Sequence, residues 1–255
     1  MYLDFFGFKE KPFALSPDPR FLFYSPSHKE ALSQMIYTVS EGYGFMVLTG
    51  EVGTGKTSLI NALIQTLPNS YRVAKISHAV LSTKGLMQSI CRGFGIAYQD
   101  RTIDELLFKL QDFLRWSYNS GMKAVLILDE AQILATDILE HIRFLSNFES
   151  ANEKHIQILL VGQPELRTKL KFETLRPLAE RINLKFQLQK LNQEETKDYI
   201  HHRLSIAGFP NGNHLFSDRV LNIIYDYSKG IPRRINIFCE EALMIGYGLN
   251  KHHIG

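Results

Sequence analysis

Five short apolar runs punctuate the chain: FMVLT (45–49), YRVAKI (71–76), KAVLILDE (123–130), HIQILLVG (155–162) and INLKFQL (182–188). Runs of this length, bounded by glycine or polar residues, read as buried strands. Between them apolar residues recur at helical spacing, as in Ala31, Leu32, Met35, Ile36 and Val39, and again in Leu59, Ile60, Leu63 and Ile64. Ser27 with Glu30, and Thr102 with Glu105, are spaced as capping boxes that open helices. Further helices are predicted near 83–93, through LEHIRFLSNFE, and as short pieces over about 164–181. Strands alternating with helices predict an α/β fold, a five-stranded parallel sheet covered on both faces. Beyond about residue 190 only helices are predicted, over 192–206, 217–228 and 232–248, separated by GFPNGN and KGIP. The expected organisation is an N-terminal arm over 1–26, an α/β domain over 27–190 and a small all-helical domain over 191–255. The arm is expected to be ordered, because Phe5, Phe6, Phe8, Phe13, Phe21 and Phe23 need cover, and it is expected to lie on the α/β domain.

The chain has 255 residues, 45% hydrophobic and 22% charged, which excludes fibrous and disordered classes and leaves a globular one. Its longest aliphatic runs, VLIL (125–128) and ILLV (158–161), fall far short of the roughly 20 residues a spanning helix needs. The start MYLDFFGFKEKPF lacks the apolar stretch of a secretory signal. Cys91 and Cys239 stand far apart without a CxxC, which fits a reducing compartment and buried thiols. Net charge is +3, and from 191 onward seven basic residues balance seven acidic ones. No basic stripe or helix-turn-helix suggests nucleic acid. The pairs His201–His202 and His252–His253 are poor chelates, since neighbours on a helix point about 100° apart.

GEVGTGKT (50–57) matches G-x-x-x-x-G-K-[ST] in full, after a predicted strand and at the start of a predicted helix. Its glycines let successive N–H groups turn toward phosphate oxygens, and the helix N-terminus adds positive potential. The residues assigned to the nucleotide are Gly50, Glu51, Val52, Gly53, Thr54, Gly55, Lys56, Thr57 and Ser58. Lys56 is expected at the β- and γ-phosphates and the Thr57 hydroxyl at Mg²⁺; the alternative is an ordinary glycine turn. Asp129 and Glu130 end the AVLILDE strand. Asp129 suits the metal, through a bound water, and Glu130 suits polarisation of the attacking water. A solvated acidic strand end is the competing reading. The residues by themselves lead to an Mg²⁺-dependent nucleoside triphosphatase.

The arrangement resembles the AAA+ superfamily: a phosphate loop, a DE strand, one more strand before the last, and a helical lid. That resemblance implies that the fourth strand lies between the phosphate-loop strand and the DE strand, so that Gln163 in VGQPEL is the first sensor. The alternative is a polar residue opening a helix before Pro164. It implies an arginine acting on a neighbour's nucleotide, and LRPLAERI offers Arg176 and Arg181, with Arg181 preferred and a surface salt bridge as competitor. In GIPRRIN it implies Arg233 as a second sensor, or else a lid–core salt bridge, with Arg234 on the surface. It also places the arm beside the adenine, with Phe23 and Tyr24 as candidate contacts and core packing as the alternative.

More narrowly, MYLDFFGFKEKPFALSPDPRFLFYSPSHKEAL, GFMVLTGEVGTGKT, LLVGQPEL, LAERI and GIPRRIN together resemble the general secretion pathway protein A family, which includes a related ATPase of mannose-sensitive pilus biogenesis. The resemblance implies a bacterial cytoplasmic ATPase, with ATP and Mg²⁺ as cofactors and a homo-oligomer as the active form. It further implies partners in a secretion or pilus machine of the inner membrane. Secretion members continue into a membrane helix and a peptidoglycan-binding region, so these residues are either a piece of a longer protein or the stand-alone kind. Two other readings stay open: a DNA-binding ATPase of the transposition type, and a nucleotide switch that barely hydrolyses.

Overall fold

Phe45 to Thr49 are buried at every position, as a strand flanked by strands on both edges and by helices on both faces must be. The computed structural model describes residues 2–16, 18–77, 82–150, 153–209 and 215–255. In chain order its strands are β1 (Phe45–Thr49), β2 (Tyr71–Ile76), β3 (Lys123–Leu128), β4 (Glu149–Ser150), β5 (Glu153–Lys154), β6 (Ile156–Gly162) and β7 (Ile182–Gln187). Its α-helices are α1 (Tyr2–Phe6), α2 (Pro26–Glu41), α3 (Lys56–Thr66), α4 (Thr83–Gly93), α5 (Ile103–Asn119), α6 (Thr136–Leu145), α7 (Glu165–Lys169), α8 (Arg176–Arg181), α9 (Gln193–Ile206), α10 (Asp218–Ser228) and α11 (Pro232–Gly248).

The chain divides into two compact units, one of residues 1–29, 51–58 and 189–255 and the other of residues 30–50 and 59–188. The second unit holds the five-stranded parallel sheet, ordered β2-β3-β6-β1-β7. As the superfamily resemblance implies, β6 lies between β1 and β3. Side chains alternate across the sheet with period two. Phe45, Val47, Leu126 and Leu128 join α4, α5 and α6 in one core. Met46, Leu48, Val125 and Ile127 join α2 and α3 in the other.

The first unit is helical. Phe6, Phe8, Phe13 and Phe21 of the arm are buried with Leu204, Leu221, Ile235 and Leu243 of the C-terminal helices. Within this unit the apolar faces of α9, α10 and α11 cover these rings. Arg203, 6% exposed, ties the arm down: Nε donates to the Pro12 carbonyl at 2.5 Å and Nη2 to that of Ala14 at 3.1 Å.

Two expected details differ. The helix after the arm begins with Pro26 rather than being capped by Ser27. Ser25 Oγ accepts the His28 N–H, while Ser27 Oγ accepts the Gln189 N–H. The helix in LEHIRFLSNFE ends at Leu145, because the antiparallel β4–β5 pair takes over from Glu149. Part of the GFPNGN separator, 210–213, lies outside the described residues.

Candidate functional site

GEVGTGKT leaves β1 at Gly50 and enters α3 at Lys56. Within the first unit, Gly53 (φ +83°) and Gly55 (φ +100°) both have left-handed backbone, which side chains resist. Space demands glycine as well: a Cβ on Gly53 would stand 2.6 Å from the Arg233 Cβ, and one on Gly55 3.0 Å from His28 Nε2. The Glu51 carbonyl gathers the turn, accepting from Thr54 N–H (3.3 Å), Thr54 Oγ1 (2.8 Å) and Lys56 Nζ (3.0 Å). Thr54 is fully buried and Lys56 nearly so. Thr57 and Ser58 follow in the first turn of α3, half-buried, and Val52 is exposed.

Two elements of the same unit close on this loop. At the start of α11 the Arg233 N–H donates to the Gly53 carbonyl at 3.2 Å, bringing the backbone of the second-sensor candidate onto the loop. Arg233 and Arg234 are both exposed. At the start of α2 the buried His28 ring lies 2.9 Å from the Thr54 carbonyl oxygen and 2.7 Å from Ser25 Oγ. Burial pushes the His28 ring below its ordinary pKa, against smaller upward pulls from the Thr54 carbonyl and Glu195. Lys190 and Glu51 form an exposed ion pair at 3.5 Å, worth little in water.

In the second unit the acidic end of β3 is built around one strained residue. The Asp129 N–H donates to the Ile76 carbonyl at 2.9 Å, extending the β2–β3 pairing, and Asp129 Oδ1 accepts the Glu130 N–H at 3.0 Å. Glu130 is left-handed (φ +54°), which turns the chain into the 3₁₀ turn Ala131–Ile133. Two amides meet the Glu130 carboxylate: Gln132 Nε2 donates to Oε2 at 2.6 Å and Gln163 Nε2 to the same oxygen at 3.3 Å. Gln132 Oε1 in turn accepts the Gln163 N–H at 3.0 Å. Gly162 leaves room for this, since a Cβ there would stand 2.7 Å from Gln132 Oε1. Lys169 Nζ fixes the turn by donating to the carbonyls of Gln132 (2.7 Å) and Leu134 (2.8 Å).

The candidate arginines differ. Arg181 Nη1 donates to the Arg143 carbonyl (3.1 Å), Ser146 Oγ (2.5 Å) and Asn147 Oδ1 (2.6 Å), all at the C-terminal end of α6. Arg176 is exposed and pairs with Glu180 at 2.9 Å. Of the two candidate adenine contacts, Phe23 packs edge-on against Tyr199 with centroids 6.0 Å apart, whereas Tyr24 is 42% exposed. His252 stacks on Phe5, and His253 Nδ1 lies 3.2 Å from the Leu215 carbonyl oxygen.

The structure thus brings Asp129, Glu130 and Gln163 together in one unit, with Gly50 just after β1, and loop residues 51–58 with Arg233 in the other. Two polar residues in these clusters escape sequence reasoning. Gln132 stands two residues past Glu130 in DEAQ, a spacing to which no motif assigns work. His28 is one polar residue of an amphipathic helix.

Comparison with known proteins bears on both clusters. The AAA domain family model matches residues 39–170. Over all 255 residues the chain is 38% identical to General secretion pathway protein A of Aeromonas hydrophila, of whose length it spans 46%. Among solved structures, the ORC2 protein of Aeropyrum pernix in its ADPNP–ADP complexes has a TM-score of 0.72 at 20% identity, over 97% of this chain and 70% of that one. Cdc6p from Pyrobaculum aerophilum also has a TM-score of 0.72, at 21% identity, over 95% of this chain and 67% of that one. At such identities these two show a shared fold.

Proposed function

Because the chain belongs to the AAA domain family, and on the strength of its similarity to General secretion pathway protein A, we propose that it is an Mg²⁺-dependent ATPase serving assembly or placement of a bacterial envelope machine, a type II secretion system or a related pilus. The observation that carries the ATPase reading is the GEVGTGKT loop itself, with left-handed Gly53 and Gly55 between a buried parallel strand and a helix N-terminus.

In this reading residues 50–58 wrap the phosphates, and Lys56 supplies charge at the β- and γ-phosphates. The Thr57 hydroxyl and the Asp129 carboxylate are hard oxygen donors, which suit Mg²⁺, an ion that takes few protein ligands beside phosphate oxygens and water. When bound, Mg²⁺ offsets negative charge on the phosphates. Glu130 orients the attacking water, and Gln163, sharing the Glu130 carboxylate, is the first sensor. Arg181 acts on the nucleotide of a neighbouring subunit, and Arg233 follows the γ-phosphate from the lid. Tyr24 is offered to the adenine.

Phosphate release from Mg-ATP is the test. The wild-type chain is expected to turn over, with a rate per subunit that rises with protein concentration. Glu130→Gln is expected to bind ATP without turnover, and Lys56→Ala to do neither. A wild-type chain that binds no ATP would sink the reading. For the envelope role, the Glu130→Gln allele in the native host is expected to block secretin or pilus assembly. A shift of duplex DNA at low salt, lost at high salt, would favour the transposition-type alternative. No described helix is long and apolar enough to cross a membrane.

A further inference from the structure

We propose that His28 is a positioning residue of the phosphate loop, holding the Thr54–Gly55 peptide in its anion-binding orientation through one hydrogen bond. The inference rests on the nucleotide-binding reading above and names a residue outside the loop on which that reading depends.

The donor is fixed by elimination. The Thr54 carbonyl oxygen, 2.9 Å from Nε2, can only accept, so Nε2 carries the proton. In the neutral ring, the form that burial favours, Nδ1 then accepts from the Ser25 hydroxyl at 2.7 Å. Ser25 and His28 are both almost fully buried. The pair therefore holds one tautomer with one direction of donation.

The described chain contains no cis peptide, so across the Thr54–Gly55 bond the C=O and N–H point in opposite directions. Fastening the Thr54 oxygen to His28 turns the Gly55 N–H away from the ring, free to meet an anion. A flip of this peptide would present carbonyl oxygen to a phosphate instead, replacing attraction with repulsion. The glycine that permits a left-handed turn at 55 also makes a flip cheap, because no Cβ resists it. The neighbouring carbonyls have their own donors, Gly53 from the Arg233 N–H and Glu51 from Thr54 and Lys56. His28 does for Thr54 what those groups do for their partners.

The test uses side chains that differ in reach at similar polarity. The Gln amide nitrogen occupies the reach of His Nε2, and the Asn amide nitrogen only that of Nδ1. The affinity of the full 255-residue chain for a fluorescent ADP analogue with Mg²⁺ is titrated alongside thermal unfolding. His28→Gln is expected to bind within about threefold of wild type, and His28→Asn to bind roughly tenfold more weakly, the cost of one unmade bond to a buried acceptor. The two are expected to melt at similar temperatures. Ser25→Ala, a milder change that frees the tautomer, is expected to weaken binding by about threefold. His28→Asn binding as tightly as wild type, or both His28 variants weakening alike in step with melting temperature, overturns the inference and leaves the nucleotide reading standing. A wild-type chain that binds no analogue overturns both.

Discussion

Gln132 bridges the Glu130 carboxylate and the backbone of Gln163, donating to Oε2 at 2.6 Å and accepting from the Gln163 N–H at 3.0 Å. A left-handed glutamate at a strand end has few local restraints, so this amide and Lys169 behind it define where the carboxylate sits. Gln132→Leu keeps the size and removes the bond. It is expected to lower ATP turnover by roughly 10- to 100-fold, as loss of alignment at a reacting group does. ATP affinity should stay within about twofold of wild type, since the proposed phosphate contacts are elsewhere. Parallel kcat and Kd measurements decide; an unchanged kcat means the bond is incidental to catalysis.

Arg181 and Arg176 are separable by what each does at rest. Arg181 places a cation against the C-terminal end of α6 with three hydrogen bonds, so Arg181→Ala should destabilise by about 1–2 kcal/mol, or ~2–8 °C in melting temperature. Arg176 has one exposed partner four residues on, and Arg176→Ala should change stability by under about 0.5 kcal/mol. Function is read from mixtures. If Arg181 acts in trans, Arg181→Ala subunits mixed with Lys56→Ala subunits should recover turnover that neither has alone. Recovery with Arg176→Ala in place of Arg181→Ala moves the role to Arg176.

Gly230 lies where two backbones touch. The Leu191 N–H donates to its carbonyl at 2.9 Å, and a Cβ on Gly230 would fall 1.8 Å from the Leu191 oxygen at a φ of +70°. Gly230→Ala should cost more than about 3 kcal/mol, because neither backbone can yield. Gly95 has a similar φ of +75° but open space around its Cβ position, so Gly95→Ala should cost only the ~1–2 kcal/mol of left-handed strain. Urea unfolding of the two variants compares clash with strain directly.

What was legible in the sequence follows from how local each determinant is. β1 and β2 span the residues that their apolar runs predict, and α11 begins and ends where GIPRRIN and its helical spacing place it. Thr102 with Glu105 forms the expected capping box, since all its partners lie within one turn. Ser27 with Glu30 has the same spacing and does not cap, because Ser25 precedes Pro26 and already serves His28, while Ser27 is claimed by Gln189, 162 residues away. The same limit hides the other non-local partnerships: Gln132 with Gln163, His28 with Thr54, and Arg203 with Pro12. None has a spacing signature, since the tertiary fold alone brings the partners within reach. The arm shows the limit at larger scale. Its phenylalanines announce burial, but nothing in their pattern says which apolar surface receives them.

Two histidines set an acid limit on stability, the buried His28 and the partly buried His202. Burial lowers the pKa of His28 and of His202, in the latter case with help from the Arg203 charge, while in the unfolded chain both titrate near 6.5. Below that pH the unfolded chain binds protons that the folded chain refuses, so stability falls as pH drops through 6.5 and keeps falling until the folded-state values are reached. The carboxyl pKa values of Asp18 and Glu105 are lowered as well, by hydrogen bonds from Arg20 and from the Thr102 backbone. Their contribution is lost only below unfolded values of 3.8 and 4.5. The window from pH 6.5 down to about 5 therefore belongs to the histidines. Urea midpoints measured at pH 7.5, 6.5 and 5.5 are expected to decline in wild type and to flatten in His28→Gln, with further flattening when His202→Gln is added. A wild-type profile already flat across this window excludes both histidines as its cause.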